Sequence, residues 1–351
     1  MAAFVAAAVP ASRRLVPTTT RRLPSAAPAL RPDVPPLRQR RRAAAVPLST
    51  RGGATTMAAA PPSGASATAA PAAGVAPPGG TPPLTYTSLD GNSFVLSAGP
   101  VDAPTTRLFI DPWLVGELKF LPAIPNFFTA TKAAIDKNTD VASYGRMDGV
   151  VLTQSLPDHL HEPTLMRLDK GTPVLAPPSA EGALADLGFT DVTIVRPGEG
   201  VTFCGVAVEA TTGSLVGPPW QDPENGYIFD FGGGDASSRL YYEPHGNHAD
   251  DVMARVKAVG VATMVTPVKA VALKGIGYKL VNGDDAQPAA VSMGVSTVVV
   301  LENTNTKGMG ILNKAIGVSG SVDEFKASLG KDVRVVVPKV ATPEVLCEGD
   351  Q

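Results

Sequence analysis

From Leu84 onward, the chain consists of short apolar runs rich in β-formers, closely spaced, with helical stretches between some of them. Most runs are almost continuously apolar, which is typical of strands covered on both faces, whereas VAVEA at 206–210 alternates. The early runs follow one another as hairpins and the later ones alternate with helices. This order predicts a layered α/β domain and excludes the regular repeat of a TIM barrel.

The predicted elements can be read directly from the sequence. Strands are expected at LTYTSL, SFVLSA, RLFIDPW, GVVLT, PVLAP, VTIVRP, VTFCGVAVEA, GYIFDF, RLYYEPH, TMVTPV, STVVVLEN and DVRVVVP. Helices are expected at HEPTLMRLD, SAEGALADLG, HADDVMARVKAVG, AQPAAVSMG and SVDEFKASLG. Ser179 and Ser321 are predicted N-caps of two of these helices, and Gly188 and Gly330 mark their C-terminal ends.

The N-terminal 60 residues differ sharply in charge from the rest of the chain. They carry ten arginines, one acid and no lysine, a net charge of +9, whereas the remaining residues carry a net charge of -11. An Arg-rich, Ala/Ser/Thr-rich and acid-poor N-terminus is typical of organelle transit peptides. We therefore expect residues 1–57 to be a transit peptide that directs the protein to the chloroplast stroma. A disordered basic arm that binds polyanions is the alternative.

The remaining composition predicts one folded domain. Residues 58–83 are uncharged and consist almost entirely of Ala, Pro, Gly, Ser and Thr, so we expect a disordered linker. The folded domain is expected at 84–338, followed by a C-terminal tail at 339–351. Cys204 and Cys347 show no disulfide or zinc-knuckle spacing, which agrees with a reducing compartment. No apolar stretch is long enough for a membrane span, and the charge gives no sign of nucleic-acid binding.

The four histidines of the chain fall into two pairs, each just after a predicted strand. His159 and His161 lie in DHLH, and His245 and His248 lie in PHGNH. Loops at strand ends commonly carry functional sites, and imidazole is a frequent ligand of zinc and other transition metals. Asp158 adds a carboxylate beside the first pair. A shared metal site would need the fold to bring both pairs together, and isolated histidines at loop starts are the alternative.

The order of RLFIDPW, GVVLTQSLPDHLHEPTL, EATTGSLVGPPWQDPENGYIF and RLYYEPHGNH resembles the metallo-β-lactamase superfamily. Within it, the chain is most similar to the ascorbate-6-phosphate lactonase-like branch and its plant and algal plastid relatives. The resemblance covers about residues 84–330. It implies an α/β fold, an αββα four-layer sandwich with two mixed β-sheets flanked by helices, and it implies metal-dependent hydrolysis at one edge of the sandwich.

The metal motif of the family is altered in this chain. The family pattern T-H-x-H-x-D-H falls on residues 153–159, where Gln154 and Leu156 occupy the first two histidine positions. Asp158 and His159, which serve the second metal in the family, are present. A leucine cannot bind a metal, so the resemblance predicts a degenerate site that does not hold two zinc ions.

The remaining family positions are also changed or displaced. The third ligand of the first metal falls at Gly213 or Ser214, the bridging carboxylate at Glu243, the final histidine at Asn303 or Asn305, and the early aspartate at Asp111. The resemblance implies that Asp111 orients the first loop without binding metal.

Two functions follow from these positions, and the sequence favours the first. In the first, we expect a non-catalytic small-molecule-binding or regulatory domain. Its ligand would bind in the cleft that holds the metals in the family, lined by Gln154, Trp220, His245 and Lys269. The alternative is a mononuclear hydrolase of a small ester, lactone or phosphate compound. Its metal ligands would be Asp158 and His159, with His161 or His245 as weaker candidates; Asp158, His159 and His245 are also the catalytic candidates. Glu243 and Asp111 are expected near the pocket, and the only cofactor expected is one divalent metal, such as zinc, or none.

The charge asymmetry generates a first prediction. A reporter fused behind residues 1–57 should enter the chloroplast and lose the segment, because its arginines and missing acids suit organelle import. Fluorescence microscopy and the size of the imported reporter measure both effects. A reporter that stays in the cytosol contradicts the prediction. Entry into mitochondria would support a transit peptide but contradict the chloroplast as its destination.

Overall fold

The structure is a computed structural model that describes residues 80–215, 223–275, 277–302 and 304–349. The expected transit peptide and nearly all of the expected linker lie outside the described residues, as do Trp220 and Asn303.

The chain forms the following strands and helices. The strands are β1 (Leu84–Ser88), β2 (Phe94–Ala98), β3 (Thr106–Ile110), β4 (Leu118–Phe120), β5 (Phe128–Lys132), β6 (Gly149–Val151), β7 (Val174–Ala176), β8 (Val192–Ile194), β9 (Gly200–Phe203), β10 (Val206–Thr212), β11 (Asn225–Asp230), β12 (Arg239–Tyr242), β13 (Thr263–Thr266), β14 (Ala270–Leu273), β15 (Lys279–Asn282), β16 (Thr297–Val300), β17 (Thr306–Met309), β18 (Ile316–Ser319), β19 (Arg334–Val336) and β20 (Pro343–Cys347). The α-helices are α1 (Glu162–Leu165), α2 (Glu181–Asp186), α3 (Asp250–Val259), α4 (Ala286–Met293), α5 (Ile311–Ala315) and α6 (Val322–Ser328).

Two seven-stranded mixed sheets form the centre of the domain. The first has the order β20-β1-β2-β3-β6-β7-β8, and the second has the order β19-β16-β13-β12-β11-β10-β9. In the first sheet, β20 to β3 pair antiparallel and β3 to β8 pair parallel. In the second sheet, β19 to β12 pair parallel and β12 to β9 pair antiparallel. Each sheet therefore changes direction near its middle, at β3 and β12.

Alternate side chains of the central strands bury two different cores. Phe94 and Leu96 of β2 and Tyr227 and Phe229 of β11 point into the core between the two sheets. The intervening Ile228 packs on the outer face, against residues of α3, α4 and α6. The opposite outer face, on the first sheet, is covered by α1 and α2. The continuous apolar runs thus arise because both faces of each strand are buried, which confirms the predicted four-layer sandwich.

Two three-stranded sheets add a further apolar cluster that the sequence did not reveal. Their orders are β15-β14-β18 and β17-β5-β4. These strands are only three to five residues long, so any apolar alternation in them is too short to identify a strand from the sequence. Side chains from both small sheets pack together with Trp113 and Leu156. This cluster lies beside the loop that carries the altered metal motif.

Several predicted boundaries need correction. The run VTFCGVAVEA is a hairpin, because Cys204 and Gly205 adopt positive φ and turn the chain between β9 and β10. Residues 339–351 are not merely a tail: β20 pairs antiparallel with β1, as a half-exposed edge strand without strong apolar alternation. Ser321 caps α6 as predicted, with its side chain accepting from the N–H of Glu324. Ser179 lies inside a 3-10 turn before α2 and is not its N-cap.

None of the helices in the described part of the chain is long and apolar enough to cross a membrane.

The start of the domain generates a second prediction. Thr81 is only 4% exposed, and a Cβ added at Gly233 would lie 2.5 Å from its Cα. A chain beginning at Gly80 should therefore unfold at the same temperature as the full-length protein. A chain beginning at Leu84 should unfold at a lower temperature, because it loses the packing of Thr81.

Gly233→Ala provides an internal check on this contact. It should lower the free energy of unfolding by about 1–3 kcal/mol, because Gly233 has positive φ and its Cβ would overlap Thr81. Thermal unfolding measures the melting temperatures of the shortened chains, and urea unfolding measures the free energy of unfolding of Gly233→Ala. A lower melting temperature for the chain that begins at Gly80 would show that preceding residues also stabilise the domain.

Candidate metal centre and active site

Loops from the two central sheets converge where β3, β6 and β12 end. Asp111 directly follows β3, and the motif residues 153–159 follow β6. Glu243 and His245 follow β12 in the other sheet. Glu224 directly precedes β11, the antiparallel neighbour of β12, so it lies at the same edge. Carboxyl ends of strands are where α/β folds usually build sites.

The carboxylate of Asp111 joins these loops. Its Oδ1 accepts from the backbone N–H of Thr153 at 2.8 Å. Its Oδ2 accepts from the Thr153 hydroxyl at 2.8 Å, from the Tyr242 hydroxyl at 3.0 Å and from Nδ1 of His159 at 2.9 Å. Asp111 is fully buried and has a φ of 43°. The expected orienting role of this aspartate therefore agrees with its contacts, which fix the start of the motif loop and the His159 ring.

His159 faces Asp158 through its other ring nitrogen. Nε2 lies 3.5 Å from Oδ2 of Asp158. Burial alone would lower the pKa of His159, but the carboxylates of Asp158 and Asp111 outweigh it and raise the pKa to about 10. Burial acts to raise the pKa of Asp158, but the His159 cation holds that pKa well below its usual range. Oδ1 of Asp158 is buried and has no hydrogen-bond partner among the described residues.

His245 completes a group of three possible ligands. Its ring centroid lies 5.2 Å from that of His159. Nδ1 of His245 contacts the two Glu224 carboxylate oxygens at 2.8 and 2.9 Å, so Nε2 is the atom it can offer to an ion. One ligand atom from each of Asp158, His159 and His245 lies within 4.8 Å of the others. Burial and the nearby His159 lower the pKa of His245 to about 3, so its ring is neutral at physiological pH.

This donor set fits one divalent metal ion. A carboxylate and two imidazoles are a ligand set that zinc accepts in catalytic sites, where a fourth position stays open. Nδ1 of each histidine contacts a carboxylate, Asp111 for His159 and Glu224 for His245, which is the usual arrangement around metal-binding imidazoles. The unpaired Oδ1 of Asp158 is the kind of buried oxygen that an ion would satisfy.

Hydrogen bonds and apolar packing occupy the neighbouring first-metal position. Nε2 of Gln154 donates to Glu224 at 2.6 Å. The side chain of Leu156 is buried in the apolar cluster of the two small sheets. The N–H and hydroxyl of Ser214 donate to Oε1 of Glu243 at 3.1 and 2.9 Å. The side chains at the positions where the resemblance placed the first metal are thus engaged by hydrogen bonds or by apolar neighbours.

Glu224 and Glu243 form a buried acid pair behind His245. The two carboxyl groups share a hydrogen bond, and both are at most 2% exposed. Burial raises the pKa of Glu224 to about 7, and burial together with the charge of Glu224 raises that of Glu243 to about 8. Oε2 of Glu243 also accepts from the backbone N–H groups of His245 and Asn247. Glu243 also forms a second group of possible ligands with Glu224 and His245, so the bridging role that the resemblance implied for it stays a prediction.

A mainly apolar pocket opens above Asp158 and His245. About 510 Å³ of empty space, part of which is open solvent, lies between its lining side chains. The lining consists of Gly91, Asn92, Trp113, Leu118, Phe128, Ala130, Asp158, His245, Val271, Val281 and Thr306. No lysine or arginine of the described chain is among them. The two small sheets thus form the walls of the pocket, and the polar groups converge at one side of it.

The other predicted residues lie elsewhere. Nδ1 of His161 contacts the Thr164 hydroxyl at 2.9 Å, so His161 stands outside the group of three possible ligands. Nδ2 of Asn305 donates to Asp90, and Lys269 forms an ion pair with Glu302. His248 is near the hydroxyls of Tyr241 and Thr266. Trp220 lies outside the described residues, so its expected place beside the pocket stays a prediction.

Sequence reasoning missed two polar residues of the site, Glu224 and Asn92. Glu224 lies just before β11, in a hairpin whose partner strand leads into His245, and that pairing was a usable signal. Asn92 lies in the turn between β1 and β2, where asparagine is common for conformational reasons alone. Nothing in its local sequence distinguishes it from an ordinary turn residue.

Comparison with known proteins agrees with this architecture. The sequence profile of the β-lactamase superfamily domain matches residues 85–299, which is more than half of the chain. No curated protein matches the sequence.

Solved structures share the fold at low sequence identity. The isothiocyanate hydrolase from Delia radicum gut bacteria is 14% identical, with a TM-score of 0.54, covering 74% of this chain and 98% of that chain. A possible metal-dependent hydrolase from Veillonella parvula DSM 2008 is 17% identical, with a TM-score of 0.54 and the same coverage of both chains. Igni18, a metallo hydrolase from Ignicoccus hospitalis KIN4/I, is 16% identical, with a TM-score of 0.50, covering 75% of this chain and 98% of that chain. From the profile match and the sandwich of two mixed sheets, we conclude that the chain belongs to the β-lactamase superfamily and has the metallo-β-lactamase fold.

Proposed function

We propose that the protein is a hydrolase that uses one divalent metal ion, held by Asp158, His159 and His245, to cleave a small ester or lactone. The observation that carries this proposal is the unpaired, buried Oδ1 of Asp158, which stands with the two histidines at the pocket. The sequence left open whether His159 and His245 meet, and it favoured a metal-free domain. Because the two rings are in contact, we favour the metal-binding function instead.

The pocket walls favour a neutral substrate over a phosphate compound. A phosphate group normally requires arginine, lysine or a helix N-terminus, and no cationic side chain of the described residues lines the pocket. Trp113, Phe128 and the nearby aliphatic side chains suit an apolar acyl or alkyl part.

The side chains have distinct tasks in this proposal. A bound divalent ion would supply Lewis-acid chemistry that polarises the substrate carbonyl. Asp111 and Glu224 hold the rings of His159 and His245 by their Nδ1 atoms, so that both Nε2 atoms face the same point. Trp113 and Leu156 keep water away from one side of the site, because both belong to the apolar cluster. Glu224 and Glu243 hold a proton between them close to neutral pH.

The second candidate function is a metal-free binding or regulatory domain. The observation that favours it is the loss of the first-metal position, where Gln154 is bound to Glu224 and Leu156 is packed with apolar neighbours. Such a domain would use the same apolar pocket for a small organic ligand. We also retain the plastid stroma as a proposal for the location, because the charge of residues 1–57 supports it.

Metal analysis distinguishes the two functions. Protein expressed with added zinc should carry about one ion per chain, because the two groups of possible ligands that the described residues form, Asp158–His159–His245 and Glu224–Glu243–His245, share His245. His159→Ala and His245→Ala should each lose the ion. His248→Ala is the matched control, since His248 is a histidine outside the group of three possible ligands, and it should keep the ion. Elemental analysis and circular dichroism measure metal content and folding.

Activity assays complete this test. The metal-loaded protein should hydrolyse members of a panel of short-chain aryl esters and lactones, and chelator treatment should abolish that hydrolysis. Metal-free protein that is stabilised by apolar ligands but cleaves nothing would favour the binding domain. Close to two zinc ions per chain would contradict both functions as described here.

Asp111→Asn tests how the ligands are held. The free energy of unfolding should fall by about 3–5 kcal/mol, because one partner of a buried, hydrogen-bonded ion pair is neutralised. Metal affinity should fall about 10- to 100-fold, because Asp111 orients His159. Asp148→Asn is the control: its ion pair with Arg146 is partly exposed, and it should change stability by less than about 1 kcal/mol. Urea unfolding and chelator competition provide the measurements, and unchanged metal affinity in Asp111→Asn would refute the orienting role.

A further inference from the structure

Asn92 is a polar residue of the pocket that neither the sequence motif nor the family pattern includes. It lies in the turn between β1 and β2, is 9% exposed and lines the pocket together with Asp158 and His245. Its Nδ2 lies 3.1 Å from Nε2 of His159. Its Oδ1 is buried and has no hydrogen-bond partner among the residues that the structure describes.

The unpaired oxygen of Asn92 has a counterpart in the same pocket. Oδ1 of Asp158 is likewise buried without a partner in the described part of the chain. Buried polar atoms are normally hydrogen-bonded, and leaving one unpaired costs about 1–3 kcal/mol. Both unpaired oxygens belong to residues whose other side-chain atom lies within 3.5 Å of Nε2 of His159, which points to a missing positively charged or hydrogen-bond-donating group near that nitrogen. An ion bound by Asp158, His159 and His245 would lie next to both residues.

The distances around His159 suit a shared ion. Ligand atoms about 2.1 Å from a tetrahedral ion lie about 3.4 Å from one another. Oδ2 of Asp158 lies 3.5 Å from Nε2 of His159, and the Asn92 carboxamide approaches the same nitrogen to 3.1 Å. Rotation about the Cβ–Cγ bond exchanges the two carboxamide atoms and places Oδ1 where Nδ2 lies. The oxygen then takes a position that matches the spacing of a ligand.

The turn that carries Asn92 is held rigidly by its neighbours. Asp90 has a φ of 67°, and its carboxylate accepts from the N–H groups of Gly91 and Ala134. Nζ of the buried Lys132 donates to the carbonyl oxygen of Leu89 at 2.6 Å. The next residue, Ser93, donates its hydroxyl to the carbonyl oxygen of Asp111 at 2.7 Å. Asn92 is therefore fixed relative to the Asp111–His159 pair, as a metal ligand needs to be.

From these observations we infer that the carboxamide oxygen of Asn92 is a fourth protein ligand of the metal ion on Asp158, His159 and His245. The inference rests on the proposed function, because it concerns the same ion. It adds a neutral oxygen from a different loop to these three ligands, which connects the first hairpin of the domain to the metal centre.

The test measures metal affinity rather than catalysis. Zinc affinity is determined by competition with a chromophoric chelator for wild type, Asn92→Leu and Asn92→Asp, and the visible spectrum of bound cobalt reports the ligand set. Asn92→Leu keeps the approximate size of the side chain but has no oxygen. Asn92→Asp keeps the oxygen and adds charge. Thr306→Val is the matched control, because Thr306 lines the same pocket and lies outside the ligand group.

Asn92→Leu should weaken zinc binding about tenfold or more, and Asn92→Asp should bind zinc more tightly than wild type. The cobalt spectrum should change in the Leu variant, and Thr306→Val should match wild type in both measurements. If Asn92→Leu fails to fold, the Asp variant alone decides, since a carboxylate ligand must raise affinity. Wild-type affinity in Asn92→Leu, or an unaltered affinity and cobalt spectrum in Asn92→Asp, overturns the inference while leaving the proposed function intact. A wild-type protein that binds no metal overturns both.

Discussion

The buried Asp111 carboxylate is the interaction on which the rest of the site depends. It accepts hydrogen bonds from Thr153 in the motif loop, from the His159 ring and from Tyr242 of the second sheet. A buried carboxylate without these donors would be strongly unfavourable, so the loops can close only when all three groups are in place. One side chain thus couples the packing of the two sheets to the orientation of a metal ligand.

The ionisable groups around this centre have pKa values that are shifted in opposite directions. Asp111 and Asp158 raise the pKa of His159, while the same His159, together with burial, lowers the pKa of His245. Glu224 and Glu243 hold a proton behind His245, so the carboxyl groups there do not all ionise together. A divalent ion would take over the role that the His159 proton has between Asp158 and the imidazole. The site therefore balances its negative charge either with protons or with a metal ion.

The side chains at the family's first-metal positions connect the apolar pocket with the hydrogen bonds around His245. Leu156 replaces a family ligand and packs with Trp113 and side chains of the two small sheets. Gln154 turns instead to Glu224, which in turn holds His245. The space that two ions would share in the family is thus divided into a hydrogen-bonded side and an apolar side. A small organic substrate fits the apolar side, and one ion fits where the two sides meet.

The sequence by itself predicted a layered α/β domain, because apolar runs such as 94–96 and 298–301 are typical of strands buried on both faces, and the resemblance to a known superfamily implied the sandwich. It also pointed to Asp158 and His159, which are neighbours in the turn after one strand, and the resemblance added Asp111 after another strand. It did not determine the pairing of His159 with His245, since that contact joins loops of two different sheets. Asn92 looks like an ordinary turn residue until the fold brings it to the ligands, whereas Glu224 could have been found from the pairing of its hairpin with the strand before His245. Only the tertiary structure could decide the site, because metal ligands are selected by position in space, and the two sheets bring together residues that are far apart in the chain.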